Sequence, residues 1–343
     1  MRALTVYPGS PGSGGVREVP DPTPAEGEVL VEVVRTGVCG TDSEIERAEH
    51  GSAPDGERVL VLGHECLGRL ADGSFVVPSV RRPDGCPACL AGEQDMCLWG
   101  RHKERGINGL HGFCAERFTE RPEYLVPVPR ELEAVAVLLE PLTVGEKALR
   151  HTFAAQRRMR VWRPERAIVT GAGPVGLLAA IAMRLRGLEV TVVERAHKAE
   201  RAALLERIGA RYAVTSRTPL ETLGPVDIVF EATGSSGVAF GSVALLGPNG
   251  ALILTSVTGG GHSLDLPADE LNKRIVLGNL LVLGSVNANV EDFRTGIDDL
   301  RAAEGRWPGL LASLITRRVP LADAASALQR DPRDIKTVVE VAA

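Results

Sequence analysis

The hydrophobic and polar positions of this chain follow two different periodicities, and the change falls near residue 131. Before it, short runs rich in β-branched residues stand between Gly, Pro and Asp, which predicts strands joined by long loops. The predicted strands are 29–34, 58–62, 75–80, 113–119 and 124–128. Residues 132–153 then carry apolar side chains at helical spacing, and we expect Pro141 to kink or split that helix.

From residue 166 onward, strand and helix patterns alternate at a regular pitch. The predicted strands are 167–170, 190–193, 227–230 and 251–255, and the predicted helices are 175–186, 199–208 and 237–246. Such alternation indicates a parallel, doubly wound sheet. Beyond residue 287 the pattern is mixed, with helices at 290–301 and 321–329 before a last strand at 336–341. The pattern therefore predicts an α/β protein.

Length and composition bound the class of protein. At 343 residues, with 44% hydrophobic and 24% charged residues, the chain suits a globular protein of two domains. The net charge of −5 comes without a basic block, which argues against nucleic acid and anionic membranes as partners. No apolar stretch is long enough to span a bilayer, and the N-terminus lacks a signal-peptide core. We expect a cytoplasmic protein whose six cysteines are metal ligands and core thiols.

A glycine run follows the first strand of the alternating region and opens a helix. Gly171-Ala-Gly173-Pro174-Val175-Gly176 has the spacing of a dinucleotide-binding turn, where glycines allow a tight turn and close approach of a pyrophosphate. Glu194 ends the next strand, roughly 20 positions after Gly176, as expected of a ribose-binding carboxylate. Its charge favours NAD, although Arg195 beside it could bind the 2′-phosphate of NADP. The alternative is a glycine turn with a structural role alone.

Three short stretches offer the ligand chemistry of a catalytic zinc ion. They are Cys39-Gly-Thr-Asp, Gly63-His64-Glu65 and Leu139-Glu140-Pro141. A catalytic zinc site takes three protein ligands and keeps one open position. Cys39 and His64 are predicted as two ligands, and Glu65 and Glu140 compete for the third place. Three anionic ligands would over-neutralise Zn²⁺, so one carboxylate is expected to lie outside the ligand set or to exchange with substrate.

Thr41 and the segment from Cys86 to Cys97 each have a functional and a purely structural interpretation. Thr41 is placed to take the proton of the substrate hydroxyl, or it stabilises a turn. The segment Cys86-x-x-Cys89-x7-Cys97 resembles a structural zinc lobe in which Pro83 stands where a first cysteine is expected. The nearest substitute ligand is Asp84, with Glu93 more remote, and the alternative is an empty loop held by packing. Cys66 and Cys114 are predicted to be core thiols.

Motifs across nearly the whole chain carry a family resemblance. They are Cys39-Gly-Thr-Asp-Ser-Glu-Ile, Leu60-Val-Leu-Gly-His-Glu, Gly106-Ile-Asn-Gly-Leu-His-Gly-Phe, Glu123-Tyr-Leu-Val-Pro-Val-Pro, Glu140-Pro-Leu, Glu146-Lys147, Glu231-Ala-Thr-Gly, Gly284-Ser-Val-Asn and Ile335-Lys336-Thr. In this order they resemble the medium-chain zinc-dependent alcohol and polyol dehydrogenases, and most closely the archaeal-type glucose 1-dehydrogenases. The resemblance implies a GroES-like β-rich catalytic domain at 1–164 and 288–343, with a Rossmann dinucleotide-binding domain at 165–287.

The resemblance also implies roles for individual residues. Zinc would be bound by Cys39, His64, Glu65 and Glu140, and sugar hydroxyls by Glu104, Glu140 and Asn287, beside Thr41. The cofactor-binding candidates are Gly171, Gly173, Pro174, Val175, Gly176, Glu194, Arg195, Thr233, Ser285, Val286, Asn287 and Lys336. On the residues alone, Glu104 is equally a solvated loop acid and Asn287 a turn former. Val80 stands where some relatives place a sugar-binding asparagine, which leaves the choice of sugar open.

These features together predict a zinc-dependent oxidoreductase that transfers hydride from a sugar or polyol hydroxyl to NAD(P). Glucose C1, giving the lactone, is the leading assignment, and NAD is expected to be preferred over NADP. The alternative is a dehydrogenase of a cyclitol or amino sugar in a biosynthetic pathway. A more remote alternative is a cofactor-binding protein without activity. From the resemblance we expect a homo-dimer or homo-tetramer.

Overall fold

The structure is a computed structural model that describes residues 1–258, 261, 263–329 and 331–342. The chain forms two compact units. The first comprises Met1–Thr143, Asn287–Arg301 and Leu311–Ala343, and the second comprises Val144–Val286 and Ala302–Leu310. None of the helices in the described residues combines the length and the apolar character that a bilayer crossing requires.

Short strands dominate the first 130 residues, as the β-branched runs predicted. They are β1 Arg2–Val6, β2 Gly15–Glu18, β3 Val29–Val38, β4 Leu60–Val61, β5 Glu65–Arg69, β6 Phe75–Pro78, β7 Arg81–Arg82, β8 Lys103–Arg105, β9 Gly109–Leu110, β10 Arg117–Glu120 and β11 Leu125–Val128. Two short helices interrupt them, α1 Gly40–Glu46 and α2 Pro87–Leu90. Strands β7, β8 and β9 form a small sheet of their own, with β7 antiparallel to β8.

Helix α3, Leu139–Gln156, follows a 3₁₀ turn at Ala136–Leu138. The predicted kink at Pro141 was wrong, because the helix begins only two residues before this proline. Pro141 therefore lies in the first turn, where a backbone N–H has no acceptor within the helix and its loss costs nothing.

The second unit contains a six-stranded sheet in the order β14-β13-β12-β15-β16-β17, and all its neighbouring strands are parallel. Its elements are β12 Arg166–Thr170, α4 Pro174–Leu185, β13 Glu189–Glu194, α5 Ala199–Arg207, β14 Arg211–Val214, β15 Val226–Glu231, α6 Ser236–Gly241, β16 Leu246–Leu254, α7 Ala268–Leu277 and β17 Leu281–Gly284. Consecutive strand residues such as Ile168 and Val169 are both fully buried. This pattern is typical of a parallel sheet covered on both faces, and it agrees with the predicted doubly wound arrangement.

The last part of the chain, apart from Ala302–Leu310, returns to the first unit. It forms α8 Val290–Arg306, α9 Leu310–Leu314, β18 Ile315–Pro320 and β19 Lys336–Glu340. The predicted helix at 321–329 is a run of 3₁₀ turns, Leu321–Leu328. Strand β19 is inserted between β3 and β18, parallel to β18 and antiparallel to β3. Side chains from both ends of the chain, including Leu4, Leu62 and Val339, therefore share one buried cluster.

Candidate metal and cofactor sites

Cys39, His64 and Glu65 come together at the ends of two paired strands. Cys39 follows β3, His64 precedes β5, and Glu65 opens β5, which is antiparallel to β3. One ligand atom from each of the three side chains lies within 4.8 Å of the other two. Gly37 is the cross-strand neighbour of Glu65, and a Cβ there would collide with the Glu65 carboxylate. Cys39 is the N-cap residue of α1.

Asp42 ties the two ligand-bearing loops together, and the sequence analysis did not single it out. Its carboxylate is buried and accepts the backbone N–H of Cys39 at 2.8 Å and that of Gly63 at 3.1 Å. The same carboxylate lies 3.6 Å from Nδ1 of His64. Burial alone would lower the pKa of His64, but the charges of Asp42 and Cys39 raise it well above its usual value. The sequence signal was an acid three residues after an N-cap, the position from which it can reach back to the cap.

Lys336 forms a buried ion pair with Glu65, and Nζ of Lys336 also donates to the carbonyl oxygen of Val38 at 3.1 Å. Burial alone would lower the pKa of Lys336, but Glu65 and Cys39 raise it. The sequence analysis predicted a cofactor contact for this lysine, and that role stays a prediction. What the structure adds is a positive charge that offsets one carboxylate of the donor set.

Glu140 lies in the first turn of α3, outside the set of atoms within 4.8 Å that Cys39, His64 and Glu65 form. Its carboxyl group is buried, and burial together with the charge of Glu65 raises its pKa to about 7, against the opposing effect of His64. Of the two competing carboxylates, Glu65 is thus the one grouped with the thiol and the imidazole.

This donor set suits zinc. Thiolate sulfur, imidazole nitrogen and carboxylate oxygen are its usual protein ligands, and in a tetrahedral site with bonds of ~2.0–2.3 Å they lie roughly 3–4 Å apart. In the structure, Nδ1 of His64 is buried without a hydrogen-bond partner, and the Sγ of Cys39 makes a long hydrogen-bond contact with Thr41 Oγ1, at 3.8 Å. The hydroxyl of Thr41 therefore lies beside the proposed metal position.

The Cys86–Cys97 segment forms a second cluster of ligand atoms. Those of Asp84, Cys86, Cys89 and Cys97 all lie within 4.8 Å of one another. Asp84 lies 3.4 Å from Cys89 Sγ and 3.0 Å from Cys97 Sγ, and the bond from the Cys97 thiol holds the pKa of Asp84 well below its usual range. Backbone N–H groups of Cys89 and Leu98 donate to Cys86 Sγ, at 3.4 and 3.3 Å. Asp84 is thus the carboxylate grouped with the three cysteines, and Glu93 is not part of the cluster.

The glycine run forms the turn between β12 and α4. Gly171 has a φ of +100°, and a Cβ on Gly176 would overlap the carbonyl oxygen of Gly171, so both positions require glycine. Gly173 is the N-cap of α4, with Pro174 after it, and a Cβ on Gly173 would meet no atom within 4 Å. This open space above the N-terminus of a twelve-residue helix suits the pyrophosphate of a dinucleotide.

Glu194 ends β13 and is held by three side chains that the sequence analysis did not foresee. Oε1 pairs with Arg201 and lies 3.2 Å from Lys198 Nζ, and Oε2 accepts from the Tyr212 hydroxyl at 2.7 Å. Burial and the hydrogen bond to Glu194 raise the pKa of Tyr212 to about 12, so this hydroxyl stays a donor. The two cations offset the charge of Glu194, which weakens its repulsion of a 2′-phosphate.

The other predicted cofactor residues have different surroundings. The backbone N–H of Thr233 donates to Glu231 Oε1 at 2.6 Å, and Val286 is exposed, with its carbonyl oxygen accepting from Lys147 at 2.7 Å. Ser285 is buried, and its Oγ lacks a hydrogen-bond partner. Arg195 is exposed, and Val175 is half-buried.

Two of the predicted sugar-binding residues, Glu104 and Asn287, contact each other. Nδ2 of Asn287 donates to Oε1 of Glu104 at 3.0 Å. Asn287 has a φ of +60°, which agrees with its alternative as a turn former, but its side chain is directed to a carboxylate. Glu104 is not a solvated loop acid, because its side chain is largely buried and paired with Arg81. Val80 is fully buried and offers no polar side-chain group.

Comparison with known proteins agrees with this architecture. Residues 133–341 match the family described as glucose dehydrogenase C-terminus, and residues 25–130 match the alcohol dehydrogenase GroES-like domain. The glucose 1-dehydrogenase of Methanocella arvoryzae is 43% identical over the whole of both chains, and that of Thermoproteus tenax is 41% identical over 99% of each. The structure of Haloferax mediterranei glucose dehydrogenase in complex with NADP, Zn and gluconolactone has a TM-score of 0.93 at 34% identity, over 100% of both chains.

The fold and the donor sets define a zinc-dependent medium-chain dehydrogenase with a GroES-like domain and a parallel Rossmann-type sheet, which confirms the predicted α/β fold class. Within that class the chain belongs to the glucose dehydrogenase family, as the resemblance to archaeal-type enzymes predicted.

Proposed function

We propose that this protein is a zinc-dependent sugar dehydrogenase that oxidises the C1 hydroxyl of glucose to the lactone and reduces NAD(P). The observation that carries the proposal is the cluster of Cys39, His64 and Glu65 in the unit that also holds the Glu104–Asn287 pair. A thiol, an imidazole and a carboxylate suit catalytic zinc, and a carboxylate beside an amide suits vicinal hydroxyls. The relatives named glucose 1-dehydrogenase and the Haloferax complex with gluconolactone support the same substrate.

The mechanism assigns tasks to individual side chains. Cys39 and His64 would hold the zinc ion, Glu65 would supply the third ligand atom, and the charge of Lys336 offsets that of Glu65, so the ligand set would not over-neutralise the metal. Zinc would supply Lewis acidity at the substrate hydroxyl, and a nicotinamide cofactor would supply the hydride acceptor. Thr41, which is half-exposed, accepts the hydroxyl proton as the C1 hydrogen leaves with its electron pair, and passes its own proton to solvent water. Glu140, buried in the first turn of α3, hydrogen-bonds the sugar and can exchange with Glu65.

Two structural assignments belong to the proposal. Asp84, Cys86, Cys89 and Cys97 hold a second, structural zinc ion, supported by their mutual distances and by the N–H groups directed at Cys86 Sγ. Residues 1–164 and 288–343 are the catalytic domain, and 165–287 the dinucleotide-binding domain. The two compact units support a division into two domains, but they group 144–164 and Ala302–Leu310 with the second unit.

NAD is the proposed preferred cofactor. Its support is the Glu194 carboxylate, whose Oε2 accepts only the Tyr212 hydroxyl among the described residues and so retains capacity for a ribose 2′-hydroxyl. The neighbouring cations Lys198 and Arg201 make the preference over NADP modest.

A second candidate substrate is a cyclitol or an amino sugar, and Val80 favours it. Val80 is buried and cannot hydrogen-bond a sugar hydroxyl, so the site has one polar group fewer with which to recognise an aldose. Initial rates with glucose, galactose, xylose and inositol, each with NAD and with NADP, test both candidates. Oxidation of glucose with formation of the lactone supports the first, whereas turnover of inositol with a flat response to every aldose supports the second.

We also propose a homo-dimer built through the parallel sheet. Strand β17 is the outermost strand of that sheet in the described part of the chain, and Val282 on it is exposed. An unpaired apolar strand edge is a ready template for pairing with a second copy. The predicted cytoplasmic location stays a prediction.

A further inference from the structure

Arg81 is a buried cation that neither the motifs nor the proposed mechanism uses. It stands on β7, directly across from Glu104 on β8, so the two side chains share one face of this small sheet. The next residue, Arg82, points to the other face and pairs with Glu120. The two neighbouring arginines therefore serve different partners, and only Arg81 contacts a residue of the proposed sugar site.

The guanidinium of Arg81 makes three hydrogen bonds in a fixed fork. Nε and Nη2 donate to the same oxygen of Glu104, Oε1, at 3.1 and 2.9 Å. Nη1 donates to the carbonyl oxygen of Asp95 at 2.9 Å. Asp95 belongs to the 3₁₀ turn Gln94–Met96, which lies between two cysteines of the second cluster, Cys89 and Cys97. The arginine is thus anchored on one side by the cysteine-bearing loop and on the other by Glu104.

This arrangement gives the two carboxylate oxygens of Glu104 different hydrogen-bond partners. Oε1 accepts from Arg81 twice and from Asn287 once, which leaves it saturated. No donor from the described residues contacts Oε2. A carboxylate held in this way presents one free oxygen in one orientation, which is what recognition of a sugar hydroxyl requires. Because Val80 supplies no polar group, discrimination among hydroxyls falls more heavily on this oxygen.

We propose that Arg81 is the positioning residue that sets the orientation of Glu104 and thereby the specificity for one hydroxyl of the substrate. The inference rests on the proposed function, since it assigns Glu104 to substrate binding. A lysine at this position keeps the charge but cannot donate twice to Glu104 and once to Asp95 at the same time.

The test is a kinetic comparison of wild type and Arg81→Lys with the polyhydroxylated substrate that wild type turns over fastest. We expect the KM for that substrate to rise about tenfold or more, as for loss of charge-assisted bonds, with the KM for the cofactor unchanged. With the deoxy analogue that lacks the hydroxyl bound by Glu104, the difference between the two enzymes should disappear. In a Glu104→Gln background, Arg81→Lys should add little, because both changes remove the same interaction.

Arg17→Lys is the matched control. Arg17 also makes several bonds to carbonyl and hydroxyl oxygens in the first unit, but these hold β1 to β2 and contact none of the proposed site residues. Arg17→Lys should leave the KM for the substrate and the KM for the cofactor unchanged. Suppose that wild type oxidises a sugar. The inference is then wrong, while the proposed function stands, if Arg81→Lys has the same KM for that sugar as wild type. It is also wrong if Arg81→Lys loses activity equally with every deoxy analogue. If wild type oxidises no polyhydroxylated substrate, the proposed function fails and the inference with it.

Discussion

One buried carboxylate, Asp42, holds both loops that bring the thiol and the imidazole to the metal position. It accepts one backbone N–H from each loop, and its charge raises the pKa of His64. A metal ligand is oriented by such outer partners as much as by its own strand or helix. The precision of the Cys39–His64 pair therefore depends on a residue that itself offers no atom to the proposed ligand set.

The first prediction concerns this carboxylate. Asp42→Asn can accept only one of the two N–H groups and loses the charge, so zinc affinity should fall by roughly 10–100-fold. Competition with a chromophoric chelator measures it. Asp72→Asn is the control, because Asp72 accepts from Ser74 in an exposed turn. An unchanged zinc affinity in Asp42→Asn would show that the two loops hold their geometry without it.

A second prediction follows from the pKa of Glu140, raised from 4.5 to about 7 by burial and by Glu65. The folded zinc-free protein binds this proton more tightly than the unfolded chain. The contribution to stability is therefore complete below pH 4.5 and is lost as the pH rises through 7, by about 3 kcal/mol at most, at ~1.4 kcal/mol per pKa unit. Glu140→Gln removes the ionisation, so its stability relative to wild type should increase over this pH range.

Urea unfolding of zinc-free wild type and Glu140→Gln at several pH values between 4 and 8 provides the measurement. Glu26→Gln, at an exposed acid, should show the pH dependence of wild type. Parallel pH profiles for Glu140→Gln and wild type would mean that Glu140 ionises with an ordinary pKa in the folded chain.

At the scale of elements, the helices and strands with a regular hydrophobic pattern were predicted correctly. Those that were missed depend on contacts that the local pattern does not show. Strands β12, β13, β15 and β16 and helices α4 and α5 were predicted because each has a continuous apolar run or a clear helical face. Helix α7 was missed, since only Leu271 and Ile275 pack against the core and neither is fully buried, which leaves a short apolar face in a mostly exposed segment. Helix α1 was missed because it depends on Asp42 capping the backbone of Cys39.

The candidate site shows the same division. The residue types and their order along the chain predicted that Cys39, His64 and Glu65 come together, and they predicted the glycine turn. The pairing of Lys336 with Glu65, and of Arg81 with Glu104, could not be predicted, because each follows from the register of strands far apart in sequence. Side-chain charge can be read from a sequence, but the partner that offsets it is fixed only once the strands are aligned.

A prediction at this scale concerns the end of β13. Glu194→Gln should raise the KM for NAD about tenfold, because a charge-assisted bond to the ribose is lost. The KM for NADP should stay the same or fall. Tyr212→Phe is the control, since it removes a donor to Glu194 without removing the charge. An equal rise of the KM for both cofactors would mean that Glu194 does not contact the ribose. A lower melting temperature of Glu194→Gln than of wild type would then assign the loss to the weakened ion pair with the buried Arg201.

At the scale of the whole molecule, the outer edge of the parallel sheet bears on assembly. Val282→Lys places a charge on the exposed face of β17 and should convert the proposed dimer to a monomer in light scattering after gel filtration. Val257→Lys makes the same exchange at an exposed position outside the strands and should leave the mass unchanged. A Val282→Lys protein that keeps the mass of wild type would place the subunit contact elsewhere.

The position of β19 between β3 and β18 has a consequence for how the protein is made. Residues 144–286 form a nearly continuous unit and can fold while synthesis proceeds. The first unit cannot close until its last strand has left the ribosome, so one side of β3 near residues 35–38 stays unpaired through most of translation. Nascent or prematurely ended chains therefore expose a strand edge open to aggregation. Slow or interrupted translation should thus lower the yield of this protein more than its folded stability suggests.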